Sequence, residues 1–129
     1  MKIKFLSLLA TALVMSFTSC KHEKDDTSPV ITLSNPTDEQ DYAIGDTIFI
    51  QGDATDNEAL HELMIILSKE ETGEVVMHLM PTVHGMPSYH IDTFFVPVDT
   101  SHIHFNLVID AWDHDNNTSE INYTLHWAD

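Results

Sequence analysis

The run HIHFNLVIDAWDHDNNTSEINYTLHW, residues 102–127, constrains the fold more than any other part of the chain. Apolar side chains recur at every second position: Ile103, Phe105, Leu107, Ile109 and Ala111, then Ile121, Tyr123, Leu125 and Trp127. A period of two places each set on one face of an extended strand, because successive side chains point to opposite sides. Between the two sets, Asp113 to Asn117 is a stretch of mostly short polar residues that favour tight turns. The pattern predicts an antiparallel hairpin with one buried and one wet face.

Shorter alternating runs are predicted as strands at 29–34, 46–54, around Leu63, Ile65 and Leu67, and at 74–80 and 89–96. Asn35-Pro36, the acidic stretch 38–41 and residues 69–73 punctuate them. The segment MHLMPTVHGMPSYH, 77–90, contains the connection Pro81–Ser88, where two prolines fix φ and Gly85 permits a turn. No long segment carries a helical apolar period. About seven strands in roughly a hundred residues, each with one apolar face, predict an all-β antiparallel sandwich over 29–129.

Two stretches carry a resemblance, GDATDNEALHEL (52–63) and IDAWDHDNNTSE (109–120). They resemble bacterial immunoglobulin-like modules, in which an Asp-Asn pair precedes the third strand and an Ala-x-Asp-x-x-Gly-Asn turn joins the last two. Here the pair is Asp56-Asn57, and Asn116 stands where that turn usually has Gly. Asn also tolerates positive φ. The resemblance implies an immunoglobulin-like sandwich and is nearly silent on function.

The first residues read as an export leader. Lys2 and Lys4 precede an apolar stretch from Phe5 to Met15, too short for a stop-transfer helix. Cys20 is the only cysteine, so it cannot staple the domain internally. Thr18-Ser19-Cys20 resembles the lipobox of bacterial lipoproteins, although Phe17 stands where Leu is usual. That resemblance implies a signal peptide over 1–19 and fatty-acyl chains, palmitate among them, on Cys20. Several acyl chains anchor a protein stably, at about 0.8 kcal/mol per buried methylene. Residues 20–28 then read as a flexible acidic tether. Lys24-Asp25-Asp26 resembles the acidic signal that sends lipoproteins to the cell surface in some Gram-negative bacteria. The expected location is therefore the outer membrane, lipid-anchored and outward-facing. A surface lipoprotein with one such domain resembles an uncharacterised His-rich lipoprotein family, although that family's His-rich segment after the third strand is not clearly reproduced.

Beyond the leader only Lys21, Lys24 and Lys69 stand against all 21 carboxylates, and there is no arginine. A field this negative repels phosphate backbones and excludes nucleic acid as a partner. Nine histidines are the other departure in composition. If odd residues of the hairpin face the core, His102, His104 and His126 face outward, with His104 opposite or diagonal to His126. His78 shares parity with Met80 on the fourth strand. His84 and Met86, in the connection, are expected to close over the strand-borne pair. Imidazole and thioether ligands suit zinc or copper, which take three or four ligands. The plain alternative is that these histidines are uncharged polar residues on a solvated face.

Asp113, Asp115 and Asn117 have the one-three-five spacing of an EF-hand, but Thr118 and Thr124 occupy its Gly and Glu positions. That loop type is excluded. A looser calcium site shared with Asp53 or Asp56 is possible, and the simpler expectation is side chains bonding their own turn. Met64, Ile66, Val108 and Trp112 are expected to form an apolar patch on the sheet exterior, a partner site unless the 81–88 connection covers it. The chain has no nucleophile elbow, phosphate loop, HExxH or cysteine nucleophile, so a non-enzymatic module is expected. It would capture zinc, copper or a metal-bearing ligand, or else serve as a protein- or glycan-interaction domain for an outer-membrane transporter.

Overall fold

The structure, a computed structural model, describes residues 23–128; the expected signal peptide, Cys20 and His22 lie outside the described residues. Among the described residues there are seven strands and no helix: β1 (Val30–Asn35), β2 (Gln40–Ala43), β3 (Ile48–Lys69), β4 (Val75–Leu79), β5 (Met86–Phe95), β6 (Ile103–Asp113) and β7 (Thr118–Ala128). The expected 46–54 and 63–67 runs are one continuous strand of 22 residues, β3. It bends through a bulge between Thr55 and Leu60. Asp56 makes the bend: its Oδ2 accepts from the amides of Glu58 (3.0 Å) and Ala59 (2.8 Å), which the ladder leaves unpaired.

The bend lets one strand serve two layers. The first half of β3 pairs with β1 and β5, and the second half with β4 and β6. β7 follows β6, and β2 closes that edge. The result is an immunoglobulin-like β-sandwich. Ile48, Ile50 and Ala54 face inward from one layer, and Leu63, Ile65, Leu67, Phe105, Leu107, Ile109, Leu125 and Trp127 from the other, all fully or nearly fully buried. Rings of Phe95 and Phe105 meet across the layers at 6.0 Å. The parity read in the final hairpin holds, with Ile103, Ile121 and Tyr123 partly buried against the same core.

One pairing departs from the antiparallel expectation. β2, which falls where the acidic 38–41 stretch predicted a break, lies parallel to β7. It is held there by Tyr42, buried in the core, and by backbone bonds such as Glu39 N–H to Thr124 O at 2.8 Å. Asp38 Oδ1 also accepts from the Thr124 amide at 3.0 Å. A short acidic edge strand of this kind also discourages pairing with other chains.

Gly52 sits where β1 and β3 approach most closely. A Cβ there would lie 2.2 Å from Thr32 O and 2.8 Å from Leu33 Cα, both backbone atoms that cannot rotate aside. Gly52→Ala is therefore expected to push β1 off the sheet and to cost roughly 2–4 kcal/mol in chemical denaturation. Gly73→Ala, at φ 71° with open space around it, should cost about 1 kcal/mol by strain alone. Equal losses in the two variants would contradict the close packing.

Candidate functional site

Leu60, at the β3 bend, pairs with Asp113 at the end of β6 and with Met86 at the start of β5. Three segments therefore meet at one end of the sandwich, and each brings a histidine. His61 follows Leu60 on β3. His84 lies in the turn Val83–Met86, closed by Met86 N–H to Val83 O at 2.9 Å and by Gly85 at φ 79°. Val83 is buried in the core, and Gly85 N–H donates to Leu60 O at 2.9 Å, so the turn is tied to the bend on both sides. His114 lies in the β6–β7 turn, where Asn116 takes the expected positive φ, 66°.

The three rings form a triangle, with centroids 5.1 Å (His61–His84), 4.8 Å (His61–His114) and 4.6 Å (His84–His114) apart. His84 Nδ1 is 3.2 Å from His61 Nδ1, and His84 Nε2 is 3.4 Å from His114 Nε2. One nitrogen from each ring can be chosen so that all three lie within 4.8 Å of one another. Tetrahedral zinc with bonds of about 2.0–2.1 Å needs nitrogens about 3.3 Å apart, so modest ring rotations close the set. All three residues are exposed and have room to rotate.

Beside this triangle stand Asp25, Asp56 and Asp113, whose carboxylates also come within 4.8 Å of one another. Asp113, 3% exposed, spends its oxygens on the turn: Oδ1 accepts from the amides of Asp115 (2.9 Å) and Asn117 (2.8 Å), and Oδ2 from Asn117 Nδ2 (2.6 Å). Burial works against its charge, but these donors outweigh it and hold the carboxyl below the usual range. Asp113 and Asn117 thus organise the turn in the way the simpler expectation describes. The neighbouring aspartate is Asp56 and not Asp53, which faces His90. Asp56 Oδ1 is buried without a hydrogen-bond partner.

Asp25 changes the reading of residues 20–28 as a free tether. Its amide donates to Asp115 Oδ2 at 2.7 Å, its Oδ2 accepts from Asn57 Nδ2 at 2.9 Å, and its carbonyl accepts from Asn117 Nδ2 at 2.8 Å. Asp25 is thus tied to this end of the sandwich by Asp115, Asn57 and Asn117.

The other expected ligands do not join the triangle. His104 and His126 are directly opposite on β6 and β7, as the hairpin parity predicts, with ring centroids 5.0 Å apart. His104 lies at the start of β6 and His126 near the end of β7, whereas His114 lies just past the end of β6. Ten residues of strand separate His104 from His114, about 33 Å at roughly 3.3 Å each. The expectation that His84 and Met86 close over His104 and His126 therefore fails, because Pro81–Ser88 runs to the Leu60 bend at the opposite end. His78 lies on β4 opposite Ile66, exposed and apart from both ends. Met86 is exposed on β5, two residues from His84.

The hairpin histidines have carboxylate partners. His104 Nδ1 meets Glu71 Oε1 at 2.9 Å, and His126 Nε2 meets Glu39 Oε2 at 2.6 Å. Backbone donors, Glu71's own amide and that of His104, hold the Glu71 carboxyl below its ordinary range. Of the expected partner patch, Ile66 and Val108 are directly opposite, and Met64 and Trp112 lie on the same outer face, all half-buried. The 81–88 connection turns its Val83 into the core.

His61 and His114 are the two members of the triangle that the sequence did not single out. The signal was present: each sits in one of the two stretches that resemble the loops of immunoglobulin-like modules, and such loops share one end of a sandwich.

No protein-family model matches the chain, and no curated protein matches it. A solved structure of the fibronectin(III)-like modules of Clostridium thermocellum CbhA is similar, with a TM-score of 0.43 and 16% identity. The match covers 78% of this chain and 45% of that one, so the chain spans less than half the length of that structure.

Asp53 accepts from His90 Nδ1 at 3.0 Å, and this hydrogen bond, with the charges of Asp53 and Asp92, raises the His90 pKa above its ordinary value against the opposing effect of desolvation. A raised folded pKa means that the interaction's full contribution is present below the unfolded value and is lost as pH rises through the folded one. Histidine NMR titration should place His90 above the free-imidazole value, and Asp53→Asn should return it. A His90 titration unmoved by that substitution would contradict the pairing.

Proposed function

We propose that this chain is a non-enzymatic binding module, lipid-anchored through Cys20 at the outer membrane and exposed at the cell surface, that captures a zinc or copper ion. The ligands are His61, His84 and His114. The observation that carries this reading is the convergence of three imidazoles from three separate segments, each held by its own backbone bonds at the β3 bend. Three histidines leave a tetrahedral metal one further position, open toward solvent or a ligand carried with the metal. The acidic surface supports the same reading, since a strongly negative domain raises the local concentration of cations. Neutral imidazole competes for divalent transition metals over calcium or magnesium, which prefer oxygen.

A second reading rests on Ile66 and Val108, paired on the outer face with Met64 and Trp112 beside them. They fit a contact with an outer-membrane transporter or a glycan, with no metal involved.

The detergent-solubilised full chain should bind Zn2+ or Cu2+ at micromolar concentration in calorimetric titration, and copper should show nitrogen hyperfine coupling. His84→Ala with His114→Ala should weaken binding by at least about a hundredfold, since only one of three ligands remains. Met64→Ser with Ile66→Ser should leave it unchanged. No transition-metal binding at those sites, or binding of Ca2+ alone, would contradict the proposal.

A further inference from the structure

The other histidine group, at the start of β6, has a geometry of its own. His102 and His104 stand two residues apart, so their side chains leave the same face. Their Nε2 atoms are 3.3 Å apart, with ring centroids at 4.9 Å. That separation is the one two imidazoles take as neighbouring ligands of a tetrahedral ion, about 3.3 Å for bonds of about 2.0–2.1 Å.

The surroundings orient His104 for this role. Glu71 Oε1 accepts from both the His104 backbone amide and the ring Nδ1, each at 2.9 Å. A carboxylate only accepts, so the ring proton sits on Nδ1 and the Nε2 lone pair points at His102. A ligand imidazole whose far nitrogen donates to a carboxylate is the common arrangement around bound transition metals. Glu71 is placed by the turn after β3, where Glu70 N–H donates to His104 O at 2.9 Å. On the other side, His126 packs its ring against His104 and is itself turned by Glu39. In the metal-free chain a proton on His102 Nε2 bridges the two nitrogens, and a metal ion would take its place.

We propose that His102 and His104 form a second transition-metal site, a two-histidine site separate from the His61–His84–His114 cluster and at the other end of β6. Glu71 is a positioning residue that fixes the tautomer of His104. With two protein ligands, this site binds more weakly than the three-histidine cluster and exchanges its metal more readily. The inference is independent of the proposed function, because no residue is shared.

The test is a Cu2+ titration of the full chain, followed by electron paramagnetic resonance. The wild-type chain is expected to take two equivalents, and His102→Gln, an exposed substitution, to remove the weaker one. Glu71→Gln should lower the affinity of that second equivalent about tenfold to a hundredfold while leaving the tighter one unchanged. His61→Gln with His84→Gln should leave the His102–His104 equivalent in place, which separates the two proposals. With both sites loaded, the dipolar coupling should report a copper–copper distance of about 30 Å, the length of β6. Copper uptake that is wholly insensitive to His102→Gln, or a copper–copper distance far shorter than the strand when two equivalents bind, would overturn the second site.

Discussion

Both layers of the sandwich and its histidine-bearing end are held together by the bend in β3. One strand of 22 residues passes from one layer to the other, and Asp56 stabilises the passage by accepting the two amides that the ladder drops. Leu60, fully buried at the bend, then pairs with both β5 and β6. This pairing brings the 83–86 turn and the β6–β7 turn to the same end. Without the bend, His61, His84 and His114 would belong to unrelated parts of the surface.

Strand periodicity was legible in the sequence because it is local. Phe105, Leu107, Ile109, Leu125 and Trp127 alternate with polar residues, and only one face of a strand can be buried. That parity correctly placed His104 opposite His126. The joining of two expected strands into β3 was less visible, since Asp56-Asn57 reads as a break while its side chain in fact bridges a bulge. β2 was missed for the same reason: acidic residues suggested a turn, yet Tyr42 supplies enough burial to hold a four-residue edge strand. The ligand set was least legible. Which end of the sandwich a loop reaches depends on pairing between distant strands, and composition carries no trace of it. His84 was singled out, but its partners came from the two loop-like stretches and not from the HIH triplet.

The two histidine groups divide the surface chemistry of an acidic domain. Lys69, the one cation on the strands, is already committed to Glu74 and Asp99, each at 3.0 Å. Carboxylates hold His90, His104 and His126, whereas His61, His84 and His114 lean chiefly on one another. A group of imidazoles that supply each other's hydrogen bonds retains lone pairs that a metal can use. The same end also carries Asp25, Asp56 and Asp113, whose carboxylates stand beside the histidine triangle.

The proposed function requires the three loop histidines to converge on one ion. A zinc-edge anomalous difference map from crystals of the full chain grown with one equivalent of Zn2+ tests it most directly. One dominant peak is expected within about 2.0–2.1 Å of a nitrogen from each of His61, His84 and His114. A dominant peak among the carboxylates of Asp25, Asp56 and Asp113, or no ordered peak at that end of the sandwich, would contradict it.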